Sequence, residues 1–289
     1  MTLIHIFPGQ GSQQRGMGRD LFPRFPDLVA QADAILGTSI AALCLEDAEG
    51  RLRRTEWTQP ALYVVEALGH LARVEDSGRT PDFVAGHSLG EYAALFAAEA
   101  FDFATGLRLV QRRGALMGAM TGGGMAAVLG LERARLEAAL AGQTSLDFAN
   151  LNAPTQTVLS GPATALEAAQ PLVEAAGGRW FPINVATAFH SRHMQPVRLD
   201  FAEFLAGITF QPLMLPVIAN ATALPYRDGE VAHLLARQID SPVRWVETVQ
   251  YLLDEPEPEF VEIGPGQVLT RLVAEISRQP VPANIARRL

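Results

Sequence analysis

The chain has 289 residues, 48% of them hydrophobic and 19% charged, enough length for roughly two domains or for one large domain carrying an insertion. A chain of this size buries about three quarters of the surface its unfolded form exposes, so a core can form without disulfides or a structural metal, and the composition excludes disorder and collagen. Its 23 basic residues, every one an arginine, against 31 acidic ones leave a net charge of −8; that sign disfavours nucleic acid as a partner, and the lack of lysine excludes Schiff-base chemistry and a Walker-type phosphate loop.

In chain order, the first predicted element is a strand over residues 3–7. The run Met1-Thr2-Leu3-Ile4-His5-Ile6-Phe7-Pro8 has no basic leader and too short an apolar stretch for a signal peptide. Cys44 is the single cysteine, so no intramolecular disulfide, CxxC pair or thiolate metal cluster can form, and a reducing compartment is expected. A helix opens at Thr58 and Pro60, with Leu62, Val65, Leu68 and Leu71 at helical spacing. A strand follows over 83–85, then a helix from near Leu89, and Asp102 stands ahead of a helix over 103–120. Glu91, Glu99 and Asp102 interrupt the most apolar stretch, so no run reaches the roughly 18 residues a membrane helix needs, and a soluble, cytoplasmic protein is expected.

Gly122-Gly123-Gly124 then breaks the chain and the period changes. Residues 125–131 read as a strand, 132–142 as a helix, 145–151 and 156–161 as two strands, 165–178 as a helix and 179–185 as a strand. That βαββαβ order is the ferredoxin-like split motif. Two further short strands are predicted at 215–219 and 260–263. Strands alternating with helices on either side of the interruption predict an α/β fold with a parallel sheet. The expected domains are a small ferredoxin-like unit at 124–187 and a large α/β unit built from 1–123 and 188–289.

Gly86-His87-Ser88-Leu89-Gly90 is a GxSxG pentapeptide between a predicted strand and a predicted helix, the context of a nucleophile elbow. The glycines leave room for a tight turn that lifts the serine above the strand end, and the first helical N–H groups then face a developing oxyanion. The alternative is an ordinary strand-to-helix turn. A nucleophilic serine needs a base. Among six histidines, His5 lies in a strand and His70 and His233 lie in helices, where core or surface roles fit, and His87 should point away from the serine. His190, in Thr187-Ala188-Phe189-His190-Ser191, falls where the inserted domain returns to the large one, a place that favours a cleft. Its nearest rival is His193, and a capping or solvent role is the alternative.

On the 103–120 helix, steps of about 100° put Leu109, Val110, Leu116 and Met117 on one face with Arg113 near its middle, and Arg108 and Arg112 to one side. A guanidinium on an apolar face keeps its charge and needs an anionic partner. Either a protein carboxylate supplies it, or the fork awaits a substrate carboxylate.

Six motifs now stand in order: Phe7-Pro8-Gly9-Gln10-Gly11-Ser12-Gln13, Gly86-His87-Ser88-Leu89-Gly90-Glu91, Arg113-Gly114, Phe189-His190-Ser191, Arg237-Gln238 before Ser241-Pro242-Val243, and Glu262-Ile263-Gly264-Pro265-Gly266. Together they make the chain resemble the malonyl-CoA:acyl carrier protein transacylases over essentially its whole length. Gly122-Gly123-Gly124-Met125-Ala126-Ala127 and Ala188-Phe189-His190-Ser191 look most like the freestanding acyltransferases that serve polyketide synthases in trans.

The resemblance implies an α/β-hydrolase-like large domain with the ferredoxin-like insertion and a ping-pong malonyl transfer. It implies Ser88 as nucleophile, His190 as general base and acid, the amides of Gln10 and Leu89 as oxyanion hole, and Arg113 as the grip on the malonate carboxylate. A backbone carbonyl near Gln238 is expected to orient the histidine. Met117 and Phe189 would narrow the pocket against an α-methyl branch, and His87, Gln59 and Asn152 are expected around it. No cofactor and no metal are implied. The implied partners are malonyl-CoA and a carrier protein of a polyketide or fatty-acid synthase, with neither nucleic acid nor membrane, and the chain is expected to be monomeric. The rivals are a fatty-acid-synthesis transacylase, or a hydrolase that clears carrier-bound acyl groups. One departure is Glu99, where the family usually has glycine at a helix end, which puts local helix termination in question.

Overall fold

A first strand whose residues 3–7 are all buried belongs in the middle of a sheet covered on both faces. The structure, a computed structural model, describes residues 1–278, so the part of the expected large domain at 279–289 lies outside the described residues. The chain runs β1 (Thr2–Phe7), α1 (Pro26–Leu36), α2 (Ile40–Leu45), α3 (Thr55–Ser77), β2 (Phe83–Gly86), α4 (Gly90–Ala97) and α5 (Phe103–Gly118). It continues with β3 (Gly123–Leu129), α6 (Arg133–Ala139), β4 (Asp147–Ala153), β5 (Gln156–Pro162), α7 (Ala163–Ala175) and β6 (Arg179–Ile183). The last part holds α8 (Gln195–Leu205), β7 (Val217–Ile218), α9 (Val231–Gln238), α10 (Trp245–Leu253), β8 (Pro258–Glu262) and α11 (Val268–Arg278).

The fold is α/β, with a parallel sheet in the order β7-β2-β1-β8 and a separate antiparallel sheet in the order β4-β5-β3-β6. Strand alternation divides the core of the first sheet. Ile4 and Ile6 pack with Trp245, Val249, Leu252, Leu269 and Leu272 on the α10 and α11 side, whereas Phe7 packs with Leu62, Leu68, Leu89 and Leu107 on the other. The second sheet has its own core of Val128, Leu136, Leu159 and Val173. Its order, with β3 beside both β5 and β6, is the ferredoxin-like arrangement expected of a βαββαβ run. The second sheet is stitched to the segment ahead of α10 by backbone bonds: Leu151 N–H donates to Val243 O at 2.9 Å and Val243 N–H to Ala149 O at 2.8 Å.

Several boundaries differ from expectation for local reasons. The helix read as opening at Thr58 and Pro60 starts a turn earlier, at Thr55; Thr58 donates its hydroxyl back to Leu52 O and Arg54 O instead of capping, and Pro60 sits within α3. Only Gly122, at φ 82°, turns the chain after α5; Gly123 and Gly124 belong to β3, and a Cβ on Gly123 would lie 2.7 Å from Ala188 N. The run at 215–219 shrinks to two strand residues, Val217 and Ile218, and Ala219 N–H turns to Leu224 O. On α5, Asp102 caps as expected, accepting from Thr105 N–H at 2.7 Å, and Leu109, Val110, Arg113 and Met117 are buried while Leu116 is only half-buried.

Glu99 does not derail helix termination. Ala100 N–H donates to Leu95 O and Glu99 N–H to Phe96 O, the paired bonds of a Schellman motif, with exposed Glu99 held at φ 61° in the left-handed position where glycine is unstrained. Glu99→Gly is therefore expected to stabilise the fold by about 1 kcal/mol, raising Tm by about 2 to 4 °C in a thermal melt.

A second expected effect concerns the histidines of the core. His5 on β1 and His70 on α3 are both buried, with their Nδ1 atoms 3.2 Å apart, so one must be the acceptor and the pair disfavours protonation. Burial first, joined for His5 by the neighbouring His70 and Arg73, pushes each down to about 4. The unfolded chain binds these protons near 6.5 and the folded one does not, so stability falls as pH drops from about 6.5 towards 4. Each histidine contributes up to about 1.4 kcal/mol per pH unit. Urea midpoints measured from pH 7.5 to 5.5 should fall, and a His5→Phe, His70→Leu double variant should flatten the decline.

Candidate active site

The GxSxG segment forms a turn that tolerates no added atoms at its glycines. A Cβ on Gly86 would lie 1.9 Å from Gly90 C, and one on Gly90 would lie 2.0 Å from Phe7 O. Ser88 sits at φ 52°, a left-handed conformation rare for a non-glycine residue, and its side chain stands at the end of β2 as α4 begins. Leu89 N–H, like Gln10 N–H in the loop after β1, has no acceptor among the described residues. Gln10 is held by a side-chain bond from its Nε2 to Thr55 Oγ1 at 3.2 Å.

His190 approaches from the segment after β6, itself at φ 55°, and its Nε2 is 2.7 Å from Ser88 Oγ. Its Nδ1 lies 2.9 Å from Gln238 O and 3.2 Å from Ser241 O. Carbonyls only accept, so Nδ1 carries the proton and Nε2 presents a lone pair to the serine hydroxyl. Burial, reinforced by the Arg113 charge, pushes His190 down to about 3, so the imidazole is neutral at physiological pH. The rival His193 turns away and bonds Ser145 O at 3.0 Å.

Arg113 is 1% exposed. Its Nη1 donates to Gln59 Oε1 at 2.9 Å, and its Nη2 donates to Gln238 Oε1 at 2.8 Å and to Ser88 Oγ at 3.1 Å. The guanidinium carbon lies 5.4 Å from the centre of the Tyr92 ring. Of the two partners left open above, the protein carboxylate is absent: among the described residues no acidic side chain makes an ion pair with Arg113. The acid in the network, Glu91, makes no hydrogen bond to it and connects through Gln238, whose Nε2 donates both to Glu91 Oε2 and to Ser88 O, while its charge acts on Arg113 from a distance. Neutral amides thus orient the cation without cancelling its charge, which leaves it available to an anion.

These groups surround a cavity of about 100 Å³ lined by Gln10, Gln59, His87, Ser88, Arg113, Met117, Phe189 and His190, together with Met125, Asn150, Ile183 and Val185. Asn152, expected around the pocket, does not reach it. It lies behind His87, whose Nε2 is 2.8 Å from Asn152 Oδ1, and the asparagine that lines the cavity is Asn150. The ladder between β4 and β5 shifts register between Leu151 and Ala153, so Asn152 stands at an irregularity of the strand where regular alternation does not set its direction. Gln238 does more than present its carbonyl, because its side chain joins Arg113, Ser88 and Glu91.

Besides Met125, Asn150, Ile183 and Val185 in the cavity lining, three residues of the polar network escaped the sequence reading. Glu91 is buried and accepts from Tyr226 Oη–H, Gln238 Nε2 and Asn220 N–H. Burial pushes it up to about 7, opposed by these donors and by Arg113. Its acid in an apolar helix start was a signal of the kind that singled out Arg113. Asn220 and Tyr226 carried no such mark. A hydroxyl, a lone-pair imidazole and an unneutralised guanidinium around one cavity can form and break an ester with a carboxylate-bearing acyl group.

Residues 4–287 match the acyl transferase domain family, and the chain belongs to that family. The polyketide biosynthesis malonyl CoA-acyl carrier protein transacylase BaeC of Bacillus velezensis is 48% identical over 96% of this chain and 97% of its own. Polyketide biosynthesis protein PksE of Bacillus subtilis is 49% identical over 97% of this chain, which spans only 37% of that longer protein. The crystal structure of malonyl CoA-acyl carrier protein transacylase from Burkholderia pseudomallei superposes with a TM-score of 0.94 at 50% identity, covering 98% of this chain and all 100% of that one.

Proposed function

We propose that the chain is an S-malonyltransferase, moving malonyl from malonyl-CoA through a Ser88 ester to the phosphopantetheine thiol of an acyl carrier protein, in trans for a polyketide synthase. The observation that carries this reading is the buried, unneutralised Arg113 guanidinium beside the Ser88–His190 pair. In the first half-reaction His190 Nε2 takes the Ser88 proton as Oγ bonds to the thioester carbonyl carbon. The oxyanion is received by the amides of Gln10 and Leu89, the carbon–sulfur bond breaks, and His190 returns the proton to the departing CoA sulfur. The second half-reaction runs the same steps with the carrier thiol, which gives its proton to His190, attacks the ester and releases Ser88.

Arg113 grips the free carboxylate as a planar fork, and Gln59 and Gln238 hold that fork in place. The Gln238 carbonyl orients His190, and Asn152 fixes His87. The thioester supplies the driving force, so no cofactor is required. Among the described residues no helix is long and apolar enough to cross a membrane; a cytoplasmic, monomeric enzyme fits this chemistry, with the inserted domain bounded at 124–187. A fatty-acid transacylase would use the same residues, and the acceptor distinguishes it; a hydrolase of neutral acyl groups would have no use for Arg113.

The test is intact-protein mass spectrometry with malonyl-CoA. Ser88 should gain one malonyl group and pass it to a polyketide carrier protein. No label on Ser88, or free malonate in place of loaded carrier, would overturn the reading. Met117 and Phe189 line the cavity beside Arg113 and His190, where an α-methyl branch would meet them. One methyl is worth about 1 to 3 kcal/mol, so malonyl-CoA should be preferred over methylmalonyl-CoA by about 10- to 200-fold in kcat/KM. Equal rates in direct competition would contradict that assignment.

A further inference from the structure

Ser88 occupies a backbone conformation that the chain does not adopt unaided, and one side chain far along the sequence spans it. Asn220, 1% exposed, follows the short strand β7. Its Oδ1 accepts from Ser88 N–H at 2.7 Å and its Nδ2 donates to Gly86 O at 2.6 Å, so one amide clasps the backbone on both sides of His87, at the entry to the strained residue. The reverse orientation of the amide would set donor against donor and acceptor against acceptor. Asn220 is itself pinned, since its N–H donates to Glu91 Oε1 at 3.2 Å and its carbonyl accepts from Arg244 N–H at 3.2 Å. Ser88 N–H is thereby consumed, which leaves Leu89 N–H as the first unpaired amide of the elbow.

We propose that Asn220 is a positioning residue for the nucleophile: its side-chain amide holds Ser88 in the left-handed conformation that aims Oγ at His190 Nε2. The proposal rests on Ser88 being the nucleophile. Asn220 is neither a hydrogen-bond partner of Arg113 nor part of the cavity lining, so its loss should slow bond formation without weakening acyl binding. Oγ would leave the 2.7 Å hydrogen bond to His190, and misplacement on the scale of 1 Å slows a reaction by about 100-fold.

The test is single-turnover acylation by malonyl-CoA, followed by rapid quench and intact mass, in wild type, Asn220→Ala and the isosteric Asn220→Asp. The rate constant, its half-saturation and the amplitude are read separately. In Asn220→Ala the rate constant should fall about 100-fold with half-saturation within threefold of wild type. Asn220→Asp keeps the acceptor for Ser88 N–H, loses the donor to Gly86, and should fall between the two. The isosteric variant also serves if the alanine variant does not fold. Rate constants within threefold of wild type, a fall in amplitude alone, or a rise in half-saturation alone would overturn the positioning role. Failure of wild-type Ser88 to label would overturn the parent reading instead.

Discussion

Replacing Arg113 by alanine is expected to lower kcat/KM for malonyl-CoA by about 10²- to 5 × 10³-fold, the range set by the roughly 3 to 5 kcal/mol lost when one member of a buried ion pair is removed. The malonate carboxylate would enter a desolvated cavity and face the Gln59 and Gln238 side-chain oxygens that the guanidinium now occupies. Acetyl-CoA has no carboxylate, so its acylation of Ser88 should change less than tenfold, and the malonyl-to-acetyl ratio should collapse. Arg113→Lys should recover little, because an ammonium on a flexible stem cannot bridge two glutamines and still present a planar fork. Rates of acyl-enzyme formation with the two thioesters, measured side by side, decide the matter. Retention of malonyl transfer within tenfold in Arg113→Ala would remove the arginine from substrate binding.

His190→Ala is expected to slow acylation by about 10³-fold, within the range of a positioned general base. The wild-type pH profile should carry a second mark of the same residue. A base works only while unprotonated, and burial with the Arg113 charge pushes His190 down to about 3. From His190 the kcat/KM for malonyl-CoA should therefore show no acid limb as pH falls from 8 to about 5, where an ordinary imidazole would lose activity below 6.5. Assays after a brief pH jump keep this separate from the acid destabilisation by His5 and His70. An acid limb centred near 6.5 that persists in Glu91→Gln, where the buried carboxyl pushed up to about 7 is gone, would show that His190 titrates as an exposed group does, contrary to the expected base.

The elbow was legible because its chemistry is local. Gly86, Ser88 and Gly90 are close in sequence, and a turn that excludes a Cβ at two positions leaves glycine there as its trace. The small sheet was legible because alternation and turn residues announce each strand, and β3 to β6 follow the read order. The start of α3 was misread because Thr58 and Pro60 mimic a helix opening, while the bonds that place it run back to Leu52 and Arg54. Depth was hidden as well: Asn150 and Asn152 look alike in sequence, and only packing sends one to the cavity and the other behind His87.

By itself the sequence determined the α/β class, the inserted βαββαβ unit, the serine in its turn and an arginine on an apolar helix face, since each depends on spacing of a few residues and on the periods of helix and strand. The tertiary structure decided which histidine meets the serine, that amides and no carboxylate hold the arginine, and that Asn220 braces Ser88 across 132 residues. The physical reason is the same in each case. A hydrogen bond needs its partners within about 3 Å, and a neutral glutamine or asparagine far away in the chain carries no periodic or charge signature of where it will arrive.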